Sequence, residues 1–317
     1  MSVLRNTTWR TWIVWAENIA LVFIISFAFY TTLPIKTTQT LFVPQGSIGN
    51  IISQLTKKGY ALSKIDTYIL RLIGTPKSGW IYIGKNELNR IDFLYKLTNA
   101  KAMIHKVTLI PGETSELFFD TLSQKLQLDK TKLQKYYQEF SFYPEAGIYA
   151  DTYHVPYGIK EKHLMHFLIR ESEKKYKKIS EKIYGNYSQK QWQKVLIIAS
   201  IIQKEAANDQ EMPLVSSVIY NRLKKGMRLQ MDGTLNYGKY SHIKVTPERI
   251  RTDESTFNTY KHKGLPSSPI GAVSLSAITA AIKPAKTDYL YFMKNDKGVH
   301  DFAKTFKKHR KNIQKAK

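Results

Sequence analysis

The spacing of apolar positions changes several times along this chain, and each change marks a different kind of element. The first stretch is unbroken: Ile19–Tyr30 reads IALVFIISFAFY, and with its flanks it extends an apolar segment over residues 12–35. About 20 such residues cross a bilayer as a helix. Glu17 and Asn18 lie near its inner end, within reach of lipid headgroups. Trp9, Trp12 and Trp15 before the run and Tyr30 at its end suit an interfacial aromatic belt. Arg5 and Arg10 precede it, which predicts a cytoplasmic tail over residues 1–11 and an exported body. No A-x-A cleavage pattern follows, so an uncleaved single-pass anchor is expected rather than a signal peptide.

Beyond the polar residues 36–39 the pattern shortens. Leu41–Val43 is strand-like, and Ser47 can cap a helix that Gly59 stops. A helical pattern covers Ser63–Ile73, Trp80–Ile83 is strand-like, and Asn89 can cap a helix carrying Ile91, Phe93, Leu94 and Leu97. Lys106–Ile110 is strand-like again, followed by the Pro111-Gly112 turn and a helix containing Phe118 and Leu122. These alternating small elements over 36–142 predict an α+β region similar to a LysM carbohydrate-binding module. From residue 143 a second region begins with loop and strand material over Tyr143–Tyr149. A long amphipathic helix follows over Glu161–Tyr184. His163 and His166 lie three apart on it, with no further ligand candidates nearby, so no metal site is expected.

Gln191–Asn208 is apolar until its end, where Glu205 falls on the stripe of Ile198, Ile201 and Ile202 at i, i+3, i+4, i+7 spacing. A carboxyl kept dry there would hold its proton to higher pH, as a general acid must. A helix-end Glu pointing into solvent fits the same spacing. Pro213 opens another helix that Gly226 ends, and Met227–Asp232 then alternates. The alternation predicts a strand with Arg228, Gln230 and Asp232 on one face, suited to sugar hydroxyls and amides and equally to a solvated edge.

Composition removes several classes. With no cysteine among 317 residues, thiolate metal sites, disulfides and a Cys nucleophile are excluded. The net charge of +24 comes from scattered lysines without a reading helix or aromatic RNA-binding signature, so an anionic wall polymer or membrane surface is the expected partner, not nucleic acid. The Lys-rich tail, Lys307–Lys317, reads as a solvated end. No phosphate-cradling loop, nucleophile elbow or HExxH helix occurs, so no cofactor is expected.

The ordered blocks ASIIQKEAA (Ala199–Ala207), PLVSSVIYNRLKKGMRLQMDGTLNYG (Pro213–Gly238), FNTY (257–260), Gly264-Leu265-Pro266, PAKTDYLYF (284–292) and GVHDF (298–302) resemble the endolytic murein transglycosylase family, also called MltG or YceG-like. The likeness is dense over 193–302 and includes Asp151-Thr152-Tyr153. It departs at Ser267-Ser268, where the family has Pro-Gly, and around Val273-Ser274, where a second Pro-Gly is usual. The resemblance implies an α+β catalytic domain over 143–317 and an inner-membrane enzyme that cuts nascent glycan strands of peptidoglycan to leave 1,6-anhydro ends. It implies that Glu205 is catalytic, and it implies partnership with peptidoglycan synthases, the penicillin-binding proteins. Around Glu205, Gln230, Asp232, Asn258, Tyr260 and Arg228 are the expected substrate-binding residues, with Asp232 a candidate helper. Two other readings remain open: a hydrolytic muramidase pairing Glu205 with Asp232 or Asp253, and a non-catalytic wall-binding scaffold.

Overall fold

The computed structural model describes residues 3–315; residues 1–2 and 316–317, the extreme ends of the two expected tails, lie outside the described residues. Helix α1 (Val3–Thr32) contains a 24-residue span, Trp9–Thr32, that is long and apolar enough to cross a membrane. Its side chains from Trp9 to Phe29 are exposed. The span ends earlier than the apolar pattern predicts. Pro34 lacks an N–H and disfavours helix at the residue before it, so the chain turns into strand β1 (Pro34–Lys36). Ile35 is fully buried in the core that follows. Tyr30 also departs from the belt expected of it. It is half-buried, with its hydroxyl 2.6 Å from Ser63 Oγ and its ring 4.3 Å from the Arg90 guanidinium.

The chain divides into two compact units, one running to His105 and including Pro156–Gly158, the other Lys106–Val155 with Ile159 onward. In the first, β2 (Thr40–Val43), α2 (Ile48–Lys57), α3 (Lys64–Ile73) and β3 (Gly79–Tyr82) follow in order, and β2 pairs antiparallel with β3. β4 (Glu87–Asn89) pairs antiparallel with β1 and leads into α4 (Arg90–Asn99). Ser47 and Asn89 cap as the sequence predicts, each accepting a first-turn N–H, and Ser63, expected only as the start of a helical pattern, also caps, with Asp66 completing a capping box. Alternate strand positions Leu41, Val43 and Ile81 join Leu55, Leu70, Phe93 and Leu97 in one core. Asp66, fully buried, is paired there with Arg90 at 2.6 Å.

Strand β5 (Ile104–Thr108) begins two residues before its expected position and pairs with β6 (Thr152–Pro156). Helices α5 (Ser115–Leu126) and α6 (Lys130–Phe140) lie on the near side of the expected boundary at 142–143, yet their Phe118, Phe119, Leu122 and Leu133 share one core with Val155, Leu164 and Leu168. Residue 142 is therefore inside the second unit. Of the loop and strand material expected over Tyr143–Tyr149 only the loop forms; the segment is irregular, with Ala146 at φ +59.

Helix α7 (Glu161–Tyr184) runs over the predicted span, and α8 (Gln189–Glu205) enters the second core of this unit. Because Val195, Leu196, Ile197, Ile198, Ala199, Ile201 and Ile202 are all buried, α8 is covered on every side rather than along one stripe. It packs against α9 (Met212–Lys224) and α11 (Leu275–Ile282). The short α10 (Pro247–Thr252) lies in the loops between them. A hairpin of β7 (Tyr291–Lys294) and β8 (His300–Ala303) precedes α12 (Phe306–Lys315), so most of the expected solvated tail is helical.

Candidate active site

Glu205 is the last residue of α8, at the point where the buried helix reaches a loop surface. The Gly233 N–H donates to its Oε1 at 2.6 Å, whereas Oε2 has no hydrogen-bond partner among the described residues. Burial is the main influence on this carboxyl and raises its pKa from 4.5 to about 7. The Gly233 bond pulls it down, the neighbouring charge of Asp232 pushes it up, and Arg222 draws it down again. The group can therefore be protonated near neutrality with one oxygen open, as a proton donor needs.

Gly233 was not identified from sequence, although its position directly after Asp232 is a usable signal. A Cβ there would stand 2.8 Å from Glu205 Oε1 and 2.9 Å from Lys204 Cβ. Only a glycine lets the backbone approach this closely. The segment before it is not the predicted strand. Residues 227–231 are irregular, because Gln230 sits at φ +48 and Asp232 already opens a 3-10 turn, Asp232–Leu235. The expected alternation does appear in burial: Leu229 and Met231 face inward, while Arg228, Gln230 and Asp232 are exposed. The partner of this segment is a loop, with Gln230 N–H donating to Thr259 O and Met231 N–H to Thr259 Oγ1.

Arg222 holds the same segment from inside. Its guanidinium is buried, donating to the carbonyls of Leu229 and Leu290, while Asn221 Nδ2 donates to those of Thr287 and Tyr289. The Asn-Arg pair at the end of α9 thus ties two chain segments together and leaves a buried positive charge near Glu205.

The other predicted residues separate into two groups. Tyr260 donates its hydroxyl to Asp232 Oδ1 at 2.6 Å, and burial together with that bond pushes its pKa up. The electrostatic coupling of Tyr260 and Asp232 to Glu205 places all three at one site. Asn258 is fully buried and its carboxamide is committed to its own loop. Nδ2 donates to Ile250 O and Asp253 O, and Oδ1 accepts from Tyr260 N–H, so Asn258 shapes the loop that carries Tyr260. Gln230 and Arg228 are exposed on the segment leading to Asp232, with no side-chain hydrogen bond among the described residues. Asp253 is fully engaged by Ser255, Tyr237 and Arg249.

The sequence profile of the YceG-like family matches residues 41–315. The chain belongs to the YceG-like family. A solved yceG-like protein from Listeria monocytogenes shares the fold, at TM-score 0.56 and 27% identity over 86% of this chain and 97% of that one. An endolytic murein transglycosylase of Bacillus subtilis is 41% identical over 122 residues, 38% of this chain and 34% of the relative. One from Streptococcus pneumoniae is 32% identical over 165 residues, 50% of this chain and 30% of the relative. The alignments therefore span about a third of the length of these curated relatives.

Proposed function

We propose that this chain is a membrane-anchored lytic transglycosylase that cuts peptidoglycan glycan strands internally and leaves 1,6-anhydro-muramoyl ends. The observation that carries the reading is the one-sided bonding of Glu205: Oε1 is held by Gly233 and Oε2 is free, on a carboxyl whose pKa is about 7. The neutral acid donates its proton to the oxygen of the β-1,4 bond between N-acetylmuramic acid and N-acetylglucosamine as the C1–O bond breaks. The resulting carboxylate takes the proton of the muramic C6 hydroxyl while that oxygen closes on C1. One proton leaves and one returns, and no water is consumed. Arg222 offsets the negative charge during the carboxylate phase, and the exposed Gln230 and Arg228 offer groups for sugar hydroxyls and amides.

The muramidase reading is favoured by one fact, the charge of Asp232 beside Glu205, since hydrolysis normally uses two carboxylates. The transglycosylase reading needs one, and Asp232 is already bonded by Tyr260. On the same reading α1 anchors the protein in the cytoplasmic membrane with its N-terminus inside and its body outside. The β–α–α–β order of the first unit then serves as a LysM-like wall-binding module beside peptidoglycan synthases.

Mass spectrometry of purified glycan strands after incubation tests the function. Anhydro ends with wild type and none with Glu205→Gln is the expected result. Reducing ends would establish the muramidase instead, and full activity in Glu205→Gln would remove Glu205 from the chemistry.

A further inference from the structure

Three consecutive residues at the end of α8 hold the chain segments around it, Gln203 one and Lys204 and Glu205 together another. Gln203 Oε1 accepts the Ser274 N–H at 3.2 Å, at the start of α11. Lys204 Nζ donates to Ser241 Oγ at 2.9 Å, and Glu205 Oε1 accepts from Gly233 at 2.6 Å. The segment from Gly233 to Ser241 is thereby fastened at both ends to adjacent side chains of one helix turn. We propose that Lys204 is a positioning residue for the reaction, clamping the 233–241 loop so that the Gly233 N–H stays on Glu205.

The clamp is built rather than incidental. Ser241 is buried, and Lys204 is covered enough that desolvation draws its ammonium down, opposed by the charges of Glu113 and Glu145. An aliphatic stem with a charged tip could turn to solvent at small cost, so holding it inward requires these partners. Glu145 is fixed by Ser115 and Ala146, and Glu113 bonds Thr114 N–H and sits 2.8 Å from His242 Nε2. The middle of the loop is held from the same side, with Thr114 Oγ1 donating to Gly238 O at 2.9 Å. Asp232 and Arg222 are the charges that bear most on Glu205. The Lys204 bond to Ser241 gives Lys204 a route to Glu205 through the loop.

This rests on Glu205 being the acid and base, and the variants separate the two claims. Released-end assays on glycan strands are run across pH for wild type, Glu205→Gln, Lys204→Met, Ser241→Ala and the Lys204→Met/Ser241→Ala double variant. Lys204→Met is expected to lower kcat about tenfold or more, the scale of a misplaced catalytic group. Its alkaline limb should move to higher pH, because the Gly233 bond that favours the carboxylate is weakened. Ser241→Ala should move both readouts the same way, and the double variant should be no worse than Lys204→Met, since both remove one link. Should Lys204→Met not fold, Ser241→Ala decides alone. Unchanged kcat and pH limb in Ser241→Ala, additive losses in the double variant, or a fall in melting temperature without a shifted limb overturns the clamp. Full activity in Glu205→Gln would instead overturn the function on which it rests.

Discussion

Two glutamates of the second unit are half-buried in opposite ways. Glu145 lies at the N-terminus of α5, where Ser115 N–H and Oγ and Ala146 N–H donate to its two oxygens. Glu205 lies at the C-terminus of α8 with one donor and one open oxygen. Burial raises the pKa of both. A raised pKa therefore does not by itself mark a proton donor. Glu145 has spent its oxygens on capping a helix whose own N-cap residue, Thr114, makes no side-chain cap bond. Glu205, at the negative end of a helix dipole and facing Asp232, is left with an oxygen to exchange a proton.

The contrast predicts a clean exchange of phenotypes. Glu205→Gln should reduce strand cleavage by about 10³-fold, within the range for loss of a general acid–base. Glu145→Gln should lose far less activity, no more than Lys204→Met loses, but should lose stability by about 1–3 kcal/mol, because an amide turned toward backbone N–H groups leaves donors unpaired. Denaturant titration beside the anhydro-end assay reads both; equal activity losses at normal stability would erase the distinction.

Gly233→Ala comes next in size. The new Cβ would meet Glu205 Oε1 and Lys204 Cβ inside 3 Å, so either the loop or the carboxyl must shift. Cleavage should fall about 10–100-fold. A variant with wild-type kcat would show that this close approach does not position the acid.

Glu205 should also tax the fold it serves. Its carboxyl is protonated to about pH 7 when folded, against a usual 4.5, so folding binds a proton between those values. Stability is unaffected below pH 4.5, falls as pH rises through the window and stays reduced above 7. The full penalty is about 3 kcal/mol. Glu205→Gln should therefore melt higher than wild type at pH 8 and nearly level with it at pH 4, whereas Glu145→Gln, stripped of its caps, should melt lower than wild type at pH 8.

Much of this site was legible in the sequence, and what was hidden had a common cause. Helix periodicity placed α7 and α8, and Ser47 and Asn89 announced their helices through local bonds. Glu205 stood out because a charge ended an apolar run. Alternation over Met227–Asp232 found the inward and outward residues correctly, but a two-residue period cannot show that Gln230 is left-handed or that the partner is a loop. Asn258 and Tyr260 were singled out together, yet only the fold shows one bonding backbone and the other bonding Asp232. The boundary at 142 failed because α5 and α6 contact residues beyond 150, a long-range pairing that composition does not mark. Gly233, Arg222 and Lys204 act through backbone approach, carbonyl contacts and a loop clamp, none of which a pattern of side-chain types records.

The smallest expected effect sharpens the comparison most. Asp232 raises the pKa of Glu205 by repulsion, so Asp232→Asn removes a force that keeps the acid neutral. The alkaline limb of kcat/KM should move down by less than about one pH unit, leaving the rate at pH 5–6 near wild type and lowering it several-fold at pH 8. Tyr260→Phe deletes the 2.6 Å bond to Asp232 but not the charge, so its limb should move less than that of Asp232→Asn. A loss at every pH in Asp232→Asn would instead make Asp232 a direct participant, and reducing ends in the wild-type digest would then accompany it. With only the limb displaced, Glu205 works as the sole acid and base, and the second carboxylate extends the pH range that burial gives it.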